Sequence, residues 1–407
     1  MKKVCVIGLG YIGLPTSVIL GLNNFEVIGV DVNKSVIDKL NKSETHIVEP
    51  GLTESLSVVN NKGLFKAQLE PEVADIFMIC VPTPFKNHNN DIPEPDLAYV
   101  MEATSSISKF LKKGDLIILE STSPVGTTEL IEKKLNNLGI NINEIDIAYC
   151  PERVLPGNIM NELIENDRIV GGLSKHSTKV AVDFYKSFVK GSVLDTDANT
   201  AEMCKLTENS FRDVNIAFAN ELSLLCSNLS IDVWELISLA NRHPRVNILQ
   251  PGPGVGGHCI SVDPWFIASK DPENSKLIQT ARHVNLKKTK WVCLKIKEYY
   301  NNLTSERKLK NLNISILGLA FKPNIDDLRE SPAIEIALSL LNEGYPINVV
   351  EPNIQNHDKF NLLSLDEVIK SNSLKVVLVQ HEEFIINKDI ISLDKTMVLD
   401  FCGLYKI

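Results

Sequence analysis

The chain has no apolar run approaching the ~18–20 residues that cross a bilayer, which excludes a helical transmembrane protein. It has no long block of Lys or Arg: 42 basic residues stand against 51 acidic ones, for a formal net charge of −9. That balance argues against a nucleic-acid binder. None of its eight cysteines forms a CxxC or another zinc-ligand spacing, so no metal centre is expected. Most of them sit among apolar residues, as in VCVIG and FMICV, and read as buried small hydrophobes in a reducing, cytoplasmic compartment. The amino terminus, MKKVCVIGLG, imitates a signal peptide only briefly. The apolar stretch breaks at Gly8, Gly10 and Gly13 with no small-residue cleavage site after it.

What is present is a globular mix, 44% hydrophobic and 23% charged over 407 residues, enough for two or three domains. Short apolar runs alternate with helical patterns. The runs are VCVIG (4–8), EVIGVDVN (26–33), DIFMICVPTP (75–84), DLIILESTSPVG (115–126) and DIAYCPERVLPG (146–157). This alternation predicts a parallel, doubly wound α/β sheet with ligands at the carboxyl ends of its strands, near loops 81–84, 121–126 and 151–157. From Asn199 to about Arg242 the pattern is helical, with Asn199 or Thr200 as N-cap and Glu202 in the first turn. A second helical stretch runs from about Ser275 to Asn301. The last hundred residues echo the first: NISILGLAFKP (313–323), a helix over 331–345 with Pro332 in its first turn, then PINVVEPN (346–353), which repeats the strand-then-acid design of EVIGVDVN. LKVVLVQ (374–380) and TMVLDFCG (396–403) are further strands. The organisation is therefore α/β, with two Rossmann-like doubly wound domains (1–198 and 306–407) joined by a central helical region (199–305).

Two motifs carry chemistry. GLGYIG (8–13) is a G-x-G-x-x-G between a strand and a helix, and Asp31 ends the next strand. The glycines permit a tight turn and close approach to a pyrophosphate, the helix start faces its charge, and the acid suits a ribose 2′-hydroxyl. An acid there repels a 2′-phosphate, so the cofactor expected is NAD rather than NADP. The plainer alternative is a structural glycine turn. In GPGVGGHCISVDP (252–264), Gly256 and Gly257 leave backbone N–H groups beside Cys259, with His258 adjacent and Asp263 four residues on. Such donors lower a thiol's pKa and hold an oxyanion. A thiol in an NAD enzyme suggests aldehyde oxidation through a thioester; a buried cysteine in a glycine-rich loop is the alternative. Lys205 and Asn209, four apart, share a helix face, as any surface helix would allow. In FKPNIDDLRESP (321–332), Lys322 and Arg329 are phosphate-binding cations or solvated loop charges.

GLGYIGLP, VPTPF, STSPVG, CPERVLPG, AEMCKLTENSF, PGPGVGGHC and GLAFKPNIDDLRESP occur in this order over nearly the whole chain. Together they resemble the UDP-glucose/GDP-mannose dehydrogenase family. The resemblance implies an NAD-binding domain, a central helical region that makes a homodimer, and a UDP-sugar-binding domain. It also implies a four-electron oxidation of a sugar C6 alcohol to a carboxylate, using two NAD and one water. HPRVNILQPGPGVGGHCISVDPWF is nearest the branch acting on UDP-N-acetyl-sugars. This points to UDP-N-acetyl-D-mannosamine, and to a product used in bacterial surface polysaccharide such as enterobacterial common antigen. The same chemistry on UDP-N-acetylglucosamine, UDP-glucose or GDP-mannose is the alternative.

The resemblance assigns Cys259 as nucleophile and Lys205 as the cation for developing oxyanions or as a proton acceptor. Asn209 holds substrate or water, Asp263 and Thr122 position water, and Glu152 serves thioester hydrolysis, for which its surroundings would have to raise its pKa if it donates a proton. The cofactor is held by Gly8, Gly10, Tyr11, Ile12, Gly13 and Asp31, with Thr83, Thr122 and Arg329 as further contacts. Substrate contacts are Glu152, Arg153, Lys205, Asn209, Arg212, Gly256, Phe321 and Lys322. The glucose branch has one arginine upstream of the Cys loop reaching the sugar of the neighbouring subunit. Here NRHPRVN offers Arg242 or Arg245, with Arg245 preferred, and His243 as a contact to the sugar or its N-acetyl group. A two-electron hydroxyacid or polyol dehydrogenase would need no thiol, and a nucleotide-sensing protein would need neither nucleophile nor base.

Overall fold

Residues 2–86, 92–155, 157–305, 309 and 311–405 are described by the structure, a computed structural model. Pro156 of the expected 151–157 loop, and residue 306 at the expected domain boundary, lie outside them. The chain forms two compact units, Met1–Glu208 and Asn209–Ile407.

The first unit is built on eight strands: β1 (Lys3–Ile7), β2 (Glu26–Val30), β3 (Phe65–Gln68), β4 (Ile76–Ile79), β5 (Leu116–Leu119), β6 (Asp146–Tyr149), β7 (Arg168–Gly172) and β8 (Val193–Asp197). Their order is β3-β2-β1-β4-β5-β6-β7-β8. Every junction is parallel except β6–β7, which is antiparallel. Alternation within β1 serves both faces. Val4 and Val6 pack with Leu14 and Val18, while Cys5 and Ile7 pack with Phe77 and Ile79 on the other side. A strand covered on both faces must be apolar throughout, which is why these segments read as continuous hydrophobic runs. The order reverses between β1 and β4, and the crevice at that reversal is where such sheets take a dinucleotide. Strands β3, β7 and β8 had no counterpart among the expected strands.

Helix α1 (Gly13–Leu22) follows the glycine loop and starts with no side-chain cap. Helix α2 (Thr127–Asn137) follows the STSPVG loop. Its first amides are satisfied from a distance: the Glu202 carboxylate accepts from Gly126 N at 2.6 Å, Thr128 N at 2.8 Å and Thr128 Oγ1 at 2.7 Å. Helix α3 (Ala198–Leu229) runs for 32 residues. It starts earlier than its sequence suggests, because Asp197 takes the capping bonds, from Thr200 N at 2.9 Å and Thr200 Oγ1 at 2.7 Å. Neither Asn199 nor Thr200 is the cap. Glu202 is fully buried against the start of α2 and does not serve the first turn of its own helix.

The second unit continues with α4 (Val233–Ala240), capped by Asp232, then α5 (Asp263–Lys270) and α6 (Lys276–Ser305). A parallel sheet of β9 (Asn313–Leu317), β10 (Ile347–Val350), β11 (Ser373–Val377) and β12 (Val398–Asp400) has the order β10-β9-β11-β12. Between β9 and β10 lies α7 (Pro332–Asn342), capped by Ser331 as its sequence indicates. The echo between chain ends extends to single bonds. Gly8 N donates to Val30 O at 2.8 Å, and Gly318 N donates to Val350 O at 2.8 Å. Leu9 N reaches the acid after β2, and Leu319 N the acid after β10.

Candidate active site

In the first unit the glycine loop closes on itself. A Cβ on Gly13 would lie 1.8 Å from Gly8 O, so only glycine lets the start of α1 approach this turn. A Cβ on Gly10 would meet nothing within 4 Å, which leaves open space over the loop. Asp31 Oδ2 accepts from Leu9 N at 3.1 Å and Oδ1 from Asn33 N at 2.9 Å, so the acid is held at the loop's edge yet remains half-exposed. Open space, an uncapped helix start and a fixed acid suit a dinucleotide's pyrophosphate and ribose. Tyr11 is exposed and Ile12 half-buried beside them. Thr83 and Thr122 come together across two loops, Thr83 Oγ1 donating to Thr122 O at 2.7 Å.

Glu152 follows β6 and is buried. Its Oε2 pairs with Arg168 Nη1 at 2.5 Å and its Oε1 accepts from Arg153 N at 2.6 Å. The Arg153 side chain turns to Glu208, 2.8 Å away. The Arg168 guanidinium lies 5.7 Å from the Tyr185 ring centre. Tyr185 donates to the buried Glu120 at 2.6 Å, and Cys80 Sγ donates to the same carboxyl at 3.3 Å. Burial, outweighing the Arg168 charge, pushes the Glu120 carboxyl up to about 7. Burial likewise pushes the Cys150 thiol up to about 12, so that cysteine is inert packing, as its apolar surroundings suggest. Lys205 lies half-buried on α3, one turn ahead of Asn209.

In the second unit the Cys259 loop runs straight into α5. Cys259 O accepts from Val262 N at 3.0 Å and from Asp263 N at 2.8 Å. Asp263 opens α5, with Pro264 behind it, and is 2% exposed. Its Oδ2 accepts from Asn209 Nδ2 at 2.5 Å. Asn209 and Asp263 are 54 positions apart, and the structure joins them directly beneath the turn of the thiol. The same loop is anchored further back, where Gly252 N donates to Asn220 Oδ1 at 2.9 Å. Gly256 is enforced by packing, since a Cβ there would sit 2.6 Å from Glu330 O and 2.7 Å from Phe321 Cβ. Gly257 N donates to Arg329 O at 3.0 Å. The loop carrying Phe321, Lys322 and Arg329 thus backs the thiol loop.

A cavity of about 200 Å³ opens at the carboxyl ends of β9, β11 and β12, lined among others by Gly252, Phe321, Pro332, Gln380 and Cys402. It sits where the sheet order reverses between β9 and β11, the place such sheets use for ligands. Lys322 and Arg329 are exposed, and Arg329 is 2.6 Å from Asp327. Arg212, Arg242, His243 and Arg245 are all exposed in the isolated chain.

Three partners escaped the reading of the sequence. Arg168 lies on β7, which has only five residues and two glycines. Glu120 sits just past an apolar strand, where a buried acid and a solvated one look alike. His381 follows β11 with no motif around it. Among the described residues no cluster of three His, Cys, Asp or Glu could hold a metal. Among the same residues no helix is long and apolar enough to cross a membrane.

Three domain patterns of the UDP-glucose/GDP-mannose dehydrogenase family match in succession: the NAD-binding domain over residues 2–189, the central domain over 199–287 and the UDP-binding domain over 315–406. The chain is 52% identical to a UDP-N-acetyl-D-mannosamine dehydrogenase of Campylobacter jejuni, covering 98% of this chain and 99% of that one. It is 46% identical to an NDP-N-acetyl-D-galactosaminuronic acid dehydrogenase of Ralstonia solanacearum, covering 99% and 96%. Among solved structures, a UDP-D-ManNAc dehydrogenase from Pyrococcus horikoshii superposes with a TM-score of 0.89 at 37% identity, covering 99% of this chain and 96% of its own.

Proposed function

Because the chain belongs to the UDP-glucose/GDP-mannose dehydrogenase family, whose members are NAD-dependent oxidoreductases, we propose that it oxidises UDP-N-acetyl-D-mannosamine at C6 to the uronate. The observation that carries the thiol chemistry is the buried Asn209–Asp263 contact under the Cys259 turn, which keeps a carboxylate at the base of the nucleophile's loop. The Ralstonia relative keeps the N-acetylgalactosamine-type sugar as the alternative substrate.

NAD, when bound, supplies the hydride acceptor for both oxidations. In the first, the C6 alcohol loses a hydride and a proton to give the aldehyde. Cys259 adds to that carbonyl, an S–C bond forms, and the thiol proton passes to the oxygen. The thiohemiacetal then loses a second hydride and a proton to become a thioester on Cys259. Water attacks the thioester, the S–C bond breaks, and carboxylate and thiol are released. The motif match assigns Lys205 the charge on developing oxyanions, and Asp263 with Thr122 the placing of water. Asn209 orients Asp263, and Glu152 serves the hydrolysis. Gly8, Gly10, Gly13 and Asp31 form the cofactor cradle, with Tyr11, Ile12, Thr83 and Arg329 as further contacts. The cavity at Phe321 is the seat of the UDP portion, with Lys322 at its rim. Residues 1–198, 199–305 and 306–407 keep the three roles of cofactor domain, helical centre and nucleotide-sugar domain.

The chain also forms a homodimer in this reading. Phe211, Phe218, Leu225 and Leu229 are 69%, 52%, 51% and 67% exposed. The first three recur every seven residues on α3, the repeat of a helix seam that covers a like helix. In this reading Arg245, or else Arg242, reaches the neighbour's sugar, and His243 contacts the sugar or its N-acetyl group; all three are exposed in one chain.

The test is NADH formed per sugar consumed, with UDP-N-acetylmannosamine, UDP-N-acetylgalactosamine, UDP-N-acetylglucosamine and UDP-glucose in parallel. About two NADH per mannosamine compound is expected, the yield of a four-electron route through a thioester. About one would remove the role of Cys259, and two with another sugar would overturn the substrate. Cys259→Ala is expected to abolish uronate formation.

A further inference from the structure

Glu351 and His381 form a buried pair in the second unit that none of the steps above employs. The two residues are 4% and 1% exposed. Glu351 Oε2 accepts from Leu319 N at 2.7 Å, Ala320 N at 3.0 Å and His381 Nε2 at 3.0 Å. Its Oε1 accepts from Asn353 N at 3.1 Å and Asn353 Nδ2 at 3.2 Å. With the carboxylate as acceptor Nε2 carries a proton, and because the Asn324 N–H points at Nδ1, that nitrogen carries the lone pair of the neutral ring. That lone pair faces Asn324 N at 3.0 Å, with Asn353 Nδ2 at 3.1 Å. Asn324 is held from its other side too, its Oδ1 accepting from Glu382 N at 2.9 Å. It has φ +60°, a conformation that asparagine tolerates better than most residues but that still needs fixing.

Asn324 lies near the start of the loop that follows β9. This loop lines the cavity with Phe321 and Pro323, and β11 delivers Val379 and Gln380 to the same cavity just before His381. At its far end the loop presents Arg329 O to Gly257 N and Glu330 O to Gly256. We propose that His381 is a positioning residue for the nucleotide-sugar site, pinning the 321–330 loop through Asn324 so that it shapes the cavity and backs the Cys259 loop. The proposal rests on the reading that this cavity receives the UDP portion of the substrate.

The experiment compares His381→Asn, His381→Gln and His381→Leu with the unmodified protein. It reads UDP and NAD binding by calorimetry, KM and kcat for the sugar, and the rate of iodoacetamide labelling at Cys259 by peptide mass. Asparagine retains an acceptor near Nδ1 and so the bond to Asn324. Glutamine retains a donor near Nε2 and so only the bond to Glu351. A hydrogen bond to the loop corresponds to about tenfold in affinity. His381→Leu and His381→Gln are expected to weaken UDP binding and raise the sugar KM by about that factor, with His381→Asn close to unmodified protein and NAD binding unchanged in all. A purely structural role would favour glutamine, the variant that satisfies the buried carboxylate. Equal UDP binding in all four proteins, or retention by glutamine and loss by asparagine, overturns the proposal. If the unmodified protein itself fails to bind UDP, the reading of the cavity falls. Labelling then decides the role of His381: faster reaction in the leucine and glutamine variants supports it, and equal rates overturn it.

Discussion

Lys288 shows how much one side chain can reveal about its surroundings. It is 3% exposed on α6, donates to Ser223 Oγ at 2.6 Å, and has its Nζ 4.3 Å from the Trp291 ring centre. Burial pushes its pKa from the ordinary 10.5 down to about 7. In the unfolded chain the amine keeps its proton until about pH 10.4. In the folded chain it gives the proton up near pH 7. Between those values the unfolded state binds more protons, so stability rises with pH, by at most ~1.4 kcal/mol per unit from this group. Below pH 7 both states are charged and the contribution is flat. The stability of the unmodified protein relative to Lys288→Met, from urea unfolding at pH 7, 8 and 9, is therefore expected to climb. A constant difference would mean that the amine stays charged inside the fold. Glu351 is the opposite case. Burial works to raise it, but the His381 hydrogen bond and the Leu319 and Ala320 amides prevail and hold it below the usual carboxylate range.

Among elements, α2 depends most visibly on a distant residue. Glu202 supplies three bonds to its first turn from 74 or more positions away. Glu202→Ala leaves the Gly126 and Thr128 amides without their acceptor and is expected to cost about 2 kcal/mol in urea unfolding, while Asp197→Ala, a surface cap, costs about 1. A loss below half a kcal/mol for Glu202→Ala would mean water replaces the carboxylate. The same contrast explains what was legible in the sequence. β1 runs directly into its glycine loop and Asp31 closes the very next strand, so local rules name them. Ser331 with Pro332, and the acid after β10, could be read for the same reason. β8 could not, because VLDTD is largely exposed and has no apolar signature. The antiparallel turn into β7 could not either, since direction is decided by neighbours in the sheet. The Arg168–Glu152 pair joins two strand ends, and the Asn209–Asp263 bond joins a helix to a loop. The family resemblance marks Asn209 and Asp263 as separate candidates without showing that they touch.

On the scale of the whole molecule, the exposed seam of α3 predicts the assembly. Phe218→Glu places a charge in the middle of Phe211, Phe218 and Leu225, and sedimentation is expected to move from the mass of two chains to that of one. A two-chain mass in the variant would put the interface elsewhere. If Arg242 or Arg245 serves a neighbour's sugar, the monomeric variant loses turnover together with mass. The likeness between the chain's two ends has a further consequence, set by where it fails. Asp31 is half-exposed at the edge of its loop, whereas Glu351 is 4% exposed and its two oxygens are taken up by Leu319, Ala320, Asn353 and His381. The second sheet has kept the strand, the turn and the acid of the first, and closed the acid to visitors. Of these two loops, then, the first alone holds an acid open to a ribose, while the proposed route uses two cofactor equivalents. On that route the crevice has to empty and refill while the half-oxidised sugar waits, and the covalent bond proposed at Cys259 becomes a timekeeper: it must outlast one exchange of cofactor.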